Sequence, residues 1–309
     1  MLSHMALCLF LYWPLLLSAV TDFGVTYDFS GGRFGDCLLS YLHAKWIAYE
    51  KQIPLYYRPF VYSSHLILDQ EEKHLADLRD EPRLRVLLGN GPPNPRIHLP
   101  LLYICPYFPE IAWERNHIHR FPYWFTVDWK NPQFRQLILS LIQPKKPLLH
   151  ILPPQDRISI AIHYRDGGGH DDQAAREEWP LKFPPLHFYI DSLNAAIELC
   201  QHKPLYCYLF TDSLNPDAIV QELQKGLLTP SDILFDYRTR QKGPRSNVLE
   251  DFFSLFHFDI LIRPQSNFSL IPSLLHDYLA VYAPEDIAEE KITEVSVTIN
   301  EELLYKRLL

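Results

Sequence analysis

The chain has 309 residues, of which 47% are apolar, 14% aromatic and 21% charged. Such a composition fills large cores and excludes a disordered chain, and the length suits two ordinary domains better than one. The net charge of −8 lacks the positive field that sequence-independent binding to a phosphate backbone requires, so nucleic acid is not an expected partner.

Met5 to Val20 is an apolar run of signal-peptide length carrying small residues, Ser18 and Ala19, near its end, although no Lys or Arg precedes it. A membrane span needs about 20 apolar residues, and this run is shorter and interrupted by Pro14. Residues 1–20 read as a secretory signal or short anchor, which implies an exported or membrane-anchored protein with membrane contact through residues 5–20. The alternative is an apolar first strand or helix of a cytosolic protein.

Next, Phe23 to Phe29 alternates like a strand, and Ser30-Gly31-Gly32 breaks it. Leu38, Leu39, Leu42, Trp46 and Ile47 recur at helical spacing before a charged end at Glu50 and Lys51, and Ile53 to Tyr56 begins another strand. Residues 69–82 are charged and predict a surface helix or loop, and 89–100, with Gly89-Asn90-Gly91-Pro92-Pro93, is punctuation. Tyr103, Tyr107, Phe108, Trp113, Phe121, Tyr123, Trp124, Phe125 and Trp129 follow. These rings fill the first domain's core and interface, or they line an acceptor cleft.

Pro144 to Pro154 holds four prolines and is the expected domain boundary. Beyond it, Arg157 to Ile162 and Leu205 to Phe210 are buried-strand patterns flanking a helix near Phe188 to Gln201. Phe252 to Phe258 and Phe268 to Leu279 read as helices around a strand at Ile260 to Ile262. Alternating strands and helices predict an α/β fold with mostly parallel, doubly wound sheets. The expected organisation is two units, 21–150 and 151–285, with 286–309 as a strand and helix tail.

Five cysteines, Cys8, Cys37, Cys105, Cys200 and Cys207, are scattered without a CxxC pair and read as buried free thiols. His117 and His119 supply only two zinc ligands without a nearby cysteine pair, so no metal site is expected there.

Three segments fall where strands should end: Gly31-Gly32-Arg33-Phe34-Gly35-Asp36, His163-Tyr164-Arg165-Asp166-Gly167-Gly168-Gly169 and Pro264-Gln265-Ser266-Asn267-Phe268-Ser269. Ligands bind at such strand ends in open α/β sheets. Glycines admit a close backbone, helix N-termini offer amide donors, and an arginine can fork two hydrogen bonds to phosphate. Together they suit a diphosphate. Taken singly, each has a plain alternative: a turn, an ion pair or a helix cap.

The same segments resemble the fucosyltransferase superfamily, which includes the α-1,2, α-1,6 and protein O-fucosyltransferases. Gly32 to Trp46 is similar to its glycine motif and first helix, His163-Tyr164-Arg165 to its His-x-Arg motif, and Phe210-Thr211-Asp212 to its Phe-Ser/Thr-Asp strand end. Asn247 to Ser254 resembles its acidic helix, and Ser266 to Ser269 its Ser-x-Phe-Ser motif. The resemblance runs in order over residues 24–282. It implies a GT-B architecture of two Rossmann-like domains facing across a cleft, GDP-fucose as donor, no cofactor and no metal. The activity it implies is inverting transfer of fucose to a hydroxyl on a glycan, lipid or protein acceptor.

Carried over by position, Arg165 would grip the β-phosphate and offset charge on the departing GDP. Ser266, Asn267, Phe268 and Ser269 would line the diphosphate, and His163 and Asp251 would sit near the base and ribose, with Asp212 among the donor residues. Gly32, Arg33 and Gly35 would close the cleft, with Asp36 as a catalytic candidate beside Arg165. Two positions depart from the pattern. Asp166 stands where a second arginine is usual, and Asp36-Cys37 replaces an Asn-Gln pair. An unpaired carboxylate repels a diphosphate, so the alternative is a catalytically inactive nucleotide- or carbohydrate-binding protein. The loop after Asp166, with His170, Asp171, Asp172, Arg176, Glu177 and Glu178, reads either as solvated or as the source of a general base.

Overall fold

The first sheet is built on strands that are short, apolar and parallel. In this computed structural model the described residues are 23–29, 32–78, 84–87, 101–105, 126–167, 176–177, 179–201, 203–228, 232–238, 247–287 and 292–308. β1 (Phe23–Tyr27) and β4 (Leu84–Leu87) flank β5 (Leu101–Cys105), giving the order β1-β5-β4 with both pairings parallel. β2 (Tyr56–Tyr57) and β3 (Lys73–His74) form a separate parallel pair, joined to β1 through a bridge from Leu55 to Val25.

Helix α1 (Phe34–Lys51) follows β1 and is buried on nearly every face, with Leu38, Leu39, Tyr41, Leu42, Ala44 and Ile47 no more than 1% exposed. A helix apolar all round must be covered on all sides. The cover comes partly from the far end of the chain. The core around α1 includes Leu249, Phe252 and Phe253 of α6 (Val248–Ser254) and Leu270, Ile271 and Leu275 of α7 (Asn267–Leu275). Phe34 and Phe252 meet edge to face at 5.1 Å. Burying a Leu, Ile or Phe fully contributes about 1.5–3 kcal/mol, so this shared core is a main source of stability.

The second sheet has the order β11-β10-β9-β6-β7-β8. β6 (Ile158–Tyr164), β7 (Leu205–Thr211), β8 (Ile233–Tyr237), β9 (Ile260–Ile262) and β10 (Ala280–Ile287) are parallel, and β11 (Ile292–Ile299) returns antiparallel along β10. The chain moves outward from β6 through β7 to β8, then crosses back to place β9 on the other side of β6. The strand order therefore reverses between β6 and β9, which makes their carboxyl ends the expected binding crevice. α4 (Leu186–Leu199) packs one face, burying Phe188, Tyr189, Leu193, Ala196 and Ile197 against the β6, β7 and β9 isoleucines and leucines. α5 (Pro216–Lys225) joins it there through Val220 and Leu223, while Leu255 and Phe258 after α6, Tyr278 and the Phe268 ring of α7 cover the other face. The remaining helices are α2 (Leu68–Glu71), α3 (Pro132–Leu141) and the terminal α8 (Glu301–Leu308).

Several expectations need adjustment. Residues 69–78 are not merely surface: Glu72 is buried, accepts from the Tyr41 hydroxyl at 2.7 Å and pairs with Lys45 at 2.6 Å. The helix expected over Phe268 to Leu279 stops at Leu275, and Leu279 leads into β10. Tyr103 is buried in the first core and Trp129 packs against it, as the core reading of the aromatic stretch requires. Tyr107, Phe108, Trp113, Phe121, Tyr123, Trp124 and Phe125 lie outside the described residues, as do 1–20, His117 and His119. Cys37, Cys105, Cys200 and Cys207 are free and buried. Among the described residues no helix is long and apolar enough to cross a membrane.

Candidate functional site

The crevice between β6 and β9 gathers most of the candidate residues. His163, the next-to-last residue of β6, shares a hydrogen bond between its Nδ1 and the Ser269 hydroxyl at 2.7 Å, and its ring lies 5.4 Å from that of Phe268. This pins the end of β6 to the first turn of α7. Burial, then the nearby guanidinium groups of Arg165, Arg263 and Arg33, push the imidazole down to about 3. His163 is therefore neutral at physiological pH and cannot protonate a leaving group.

Arg165 follows the strand, with its guanidinium 5.0 Å from the Phe183 ring centre. Arg176 lies 5.3 Å from the same ring. The turn beyond Arg165 needs Gly167, whose φ of 91° is a region side chains rarely adopt. Asp166, the worrying carboxylate, is paired: Arg176 bonds its Oδ1 at 2.9 Å, and its backbone N–H donates to Asp212 Oδ1 at 2.6 Å. The polar loop is thus partly folded onto the site through Arg176; His170, Asp171, Asp172 and Glu178 lie outside the described residues. Asp212 also faces Arg33, 3.9 Å from its Nη1.

Two helices meet here end to end. Arg33 is the N-cap of α1 and Ser266 that of α7. A cation at a helix N-terminus opposes the macrodipole, and two such termini repel each other. Asp36 answers both: its Oδ2 accepts from the Arg33 backbone N–H at 3.1 Å, and its Oδ1 accepts from Asn267 Nδ2 at 2.6 Å. Gly35 allows the approach, because a Cβ there would lie 2.5 Å from the Phe268 backbone nitrogen. A Cβ on Gly32 would strike the Asp36 carboxylate at 2.2 Å. Packing between the helices therefore accounts for Gly35, and the clamp to Asn267 engages the Asp36 carboxylate. Burial, and to a lesser degree Asp36, push the Cys37 thiol up to about 11.

Asp251 sits apart from the His163 contacts, on α6. Arg238 approaches its Oδ1 at 3.4 Å and also pairs with Glu250. Burial pushes the Asp251 carboxyl up to about 6, against the pull of Arg238. Sequence reasoning missed Arg263, Arg238 and Phe183. Arg263 had the same signal as Arg165, an arginine directly after a buried strand. Among the described residues no group of three His, Cys, Asp or Glu side chains is placed to hold a metal ion.

No family model and no curated protein sequence matches the chain. Among solved structures it is similar to the fucosyltransferase NodZ from Bradyrhizobium, with a TM-score of 0.52 and 16% identity, covering 90% of this chain and 98% of that one. The chain has the NodZ fold. A structure of NodZ α-1,6-fucosyltransferase soaked with GDP-fucose gives the same TM-score of 0.52 and 16% identity, covering 90% of this chain and 99% of the other. FUT1 from Arabidopsis thaliana in complex with GDP has a TM-score of 0.49 and 14% identity, over 85% of this chain and 71% of that one.

Proposed function

We propose that this protein is an inverting glycosyltransferase that transfers fucose from GDP-fucose to a hydroxyl acceptor, with the donor diphosphate seated between the ends of β6 and β9. The observation that carries the reading is that Arg165 directly follows the end of β6 where strand order reverses, that His163 bonds that end to the first turn of α7, and that the N-terminus of α1 abuts the N-terminus of α7. A fold alone does not establish activity, and this charge arrangement is what favours an anionic leaving group.

In the proposed reaction the acceptor oxygen attacks the anomeric carbon and releases its proton to the surrounding water. The bond from that carbon to the β-phosphate oxygen breaks, and its electron pair leaves with GDP. Arg165 stabilises the growing charge as a fixed planar cation, and no proton from His163 is needed. His163 instead holds Ser269, and hence α7, against β6. Asp36 acts as a positioning residue, because both its oxygens hold helix termini. Asp251 and Arg238 lie on the base and ribose side in this reading.

The departures at Asp36 and Asp166, two carboxylates beside the proposed diphosphate, keep open a second reading, a nucleotide- or carbohydrate-binding protein without turnover. Purified protein incubated with GDP-fucose and UDP-sugars decides. Stabilisation by GDP-fucose over UDP-sugars, with release of GDP on transfer or hydrolysis, supports the enzyme. Equal stabilisation by UDP-sugars removes the guanine assignment, and binding without GDP release supports the second reading.

A further inference from the structure

β6 and β9 run parallel and in register through Ile162 and Ile262. Side chains alternate along both strands. Ile158, Ile160, Ile162, Ile260 and Ile262 enter the core beneath α4, whereas Ala161 and Leu261 enter the opposite core with Phe258 and Tyr278. Two residues further on, His163 and Arg263 therefore project on that opposite side, next to each other. The bond from His163 to Ser269 marks it as the side of α7. The backbone of Arg263 is fixed by its N–H to the Tyr282 carbonyl at 2.9 Å, and one guanidinium N–H reaches the Pro264 carbonyl at 3.3 Å.

We propose that Arg263 is a second pyrophosphate-binding arginine, meeting the diphosphate from the end of β9 as Arg165 does from the end of β6. The inference rests on the donor-site reading above and adds a residue to it. A nucleoside diphosphate carries more than one negative charge and gains another when the sugar leaves, so a single guanidinium does not balance it. Directly after Arg165 the chain places not a second arginine but Asp166, and that carboxylate engages Arg176. Arg33 on α1 faces Asp212. Arg263 enters from the neighbouring strand, and its charge is felt at His163, the residue that touches α7. A planar fork there can bond two phosphate oxygens at once.

Titration calorimetry with GDP, GMP and guanosine on the full chain tests this. Arg263→Gln is expected to weaken GDP roughly tenfold to a hundredfold, the range for a hydrogen bond to a charged group. It should leave guanosine within about threefold of wild type, and the ratio of GDP to GMP affinity should collapse. A variant that melts like wild type and keeps that ratio overturns the inference while leaving the donor site standing. Failure of the wild type to bind any guanine nucleotide overturns the donor-site reading itself. A measurement on the unaltered protein stands even if the variant does not fold. Phenylglyoxal labelling read by mass spectrometry should show Arg263 protected by GDP but not by guanosine, and equal labelling in the presence and absence of GDP overturns the inference.

Discussion

Gly35→Ala offers a direct test of how α1 and α7 are joined. The new methyl carbon would lie 2.5 Å from the Phe268 nitrogen and 2.8 Å from two further backbone atoms, where ordinary contact begins at 3.4 Å. The obstacle is backbone, so the two helix ends must separate by about 0.9 Å, the difference between 3.4 and 2.5 Å. That motion stretches the Asn267 to Asp36 bond from 2.6 Å toward about 3.5 Å, where such a bond is largely lost. Overpacking costs about 1–3 kcal/mol and a hydrogen bond to a charged group about 1.5–3 kcal/mol. The better helix propensity of alanine returns up to about 1 kcal/mol. A net loss of about 2–4 kcal/mol should lower the melting temperature by roughly 5–15 °C at about 2–4 °C per kcal/mol. Circular dichroism melts in one buffer measure it. Asn267→Ala, which removes only the bond, should cost less, and the double variant should cost less than the two changes added. A Gly35→Ala protein that melts within 1 °C of wild type would show that the helix ends do not press together as described.

Arg165→Lys should melt like wild type but lose about 10²–10³ in single-turnover transfer, since charge without the fork does not hold two phosphate oxygens; transfer within threefold of wild type would remove it from the reaction. Asp251 has a folded pKa raised to about 6, so its contribution is fully present below the unfolded carboxyl value near 4 and is lost as pH rises through 6. Asp251→Asn should accordingly gain melting temperature relative to wild type at pH 7.5 and not at pH 4; an equal difference at both would count against that titration. His163, lowered to about 3, stabilises the fold above pH 6.5 and loses that contribution as pH falls toward 3. Its imidazole resonances should stay in the neutral form from pH 8 to 5, and a midpoint near 6.5 would contradict the site.

The parts of the fold that could be read in advance are those whose pattern is local. β6, β7 and β9 are short apolar runs buried on both faces, and α1 and α4 repeat their apolar residues every three or four positions. β5 escaped notice because Leu101 to Cys105 opens the aromatic stretch directly after a proline-rich segment, and β4 because Arg85 interrupts its four residues. β10 was hidden by carrying the α7 periodicity on to Leu279, past the point where the chain leaves the helix. Within the site, His163, Arg165 and Ser269 stand at strand and helix ends that the motifs mark. The duties of Gly35 and Asp36 were not legible, because they depend on Asn267 and Phe268, which approach only once both sheets have formed.

The core around α1 has a consequence for how the chain is made. Phe34 finds its partner Phe252 only after most of the polypeptide has been synthesised. At roughly 5–20 residues per second, that leaves an interval of roughly 10–45 s in which the apolar sides of α1 wait uncovered on the ribosome. Contacts so distant in sequence also slow closure in free solution. The first 150 residues expressed alone would never receive that cover, and the remainder expressed alone would present Phe252, Phe253, Leu270 and Ile271 to water. Either fragment should cling to chaperones, and refolding should succeed best from dilute, intact chains.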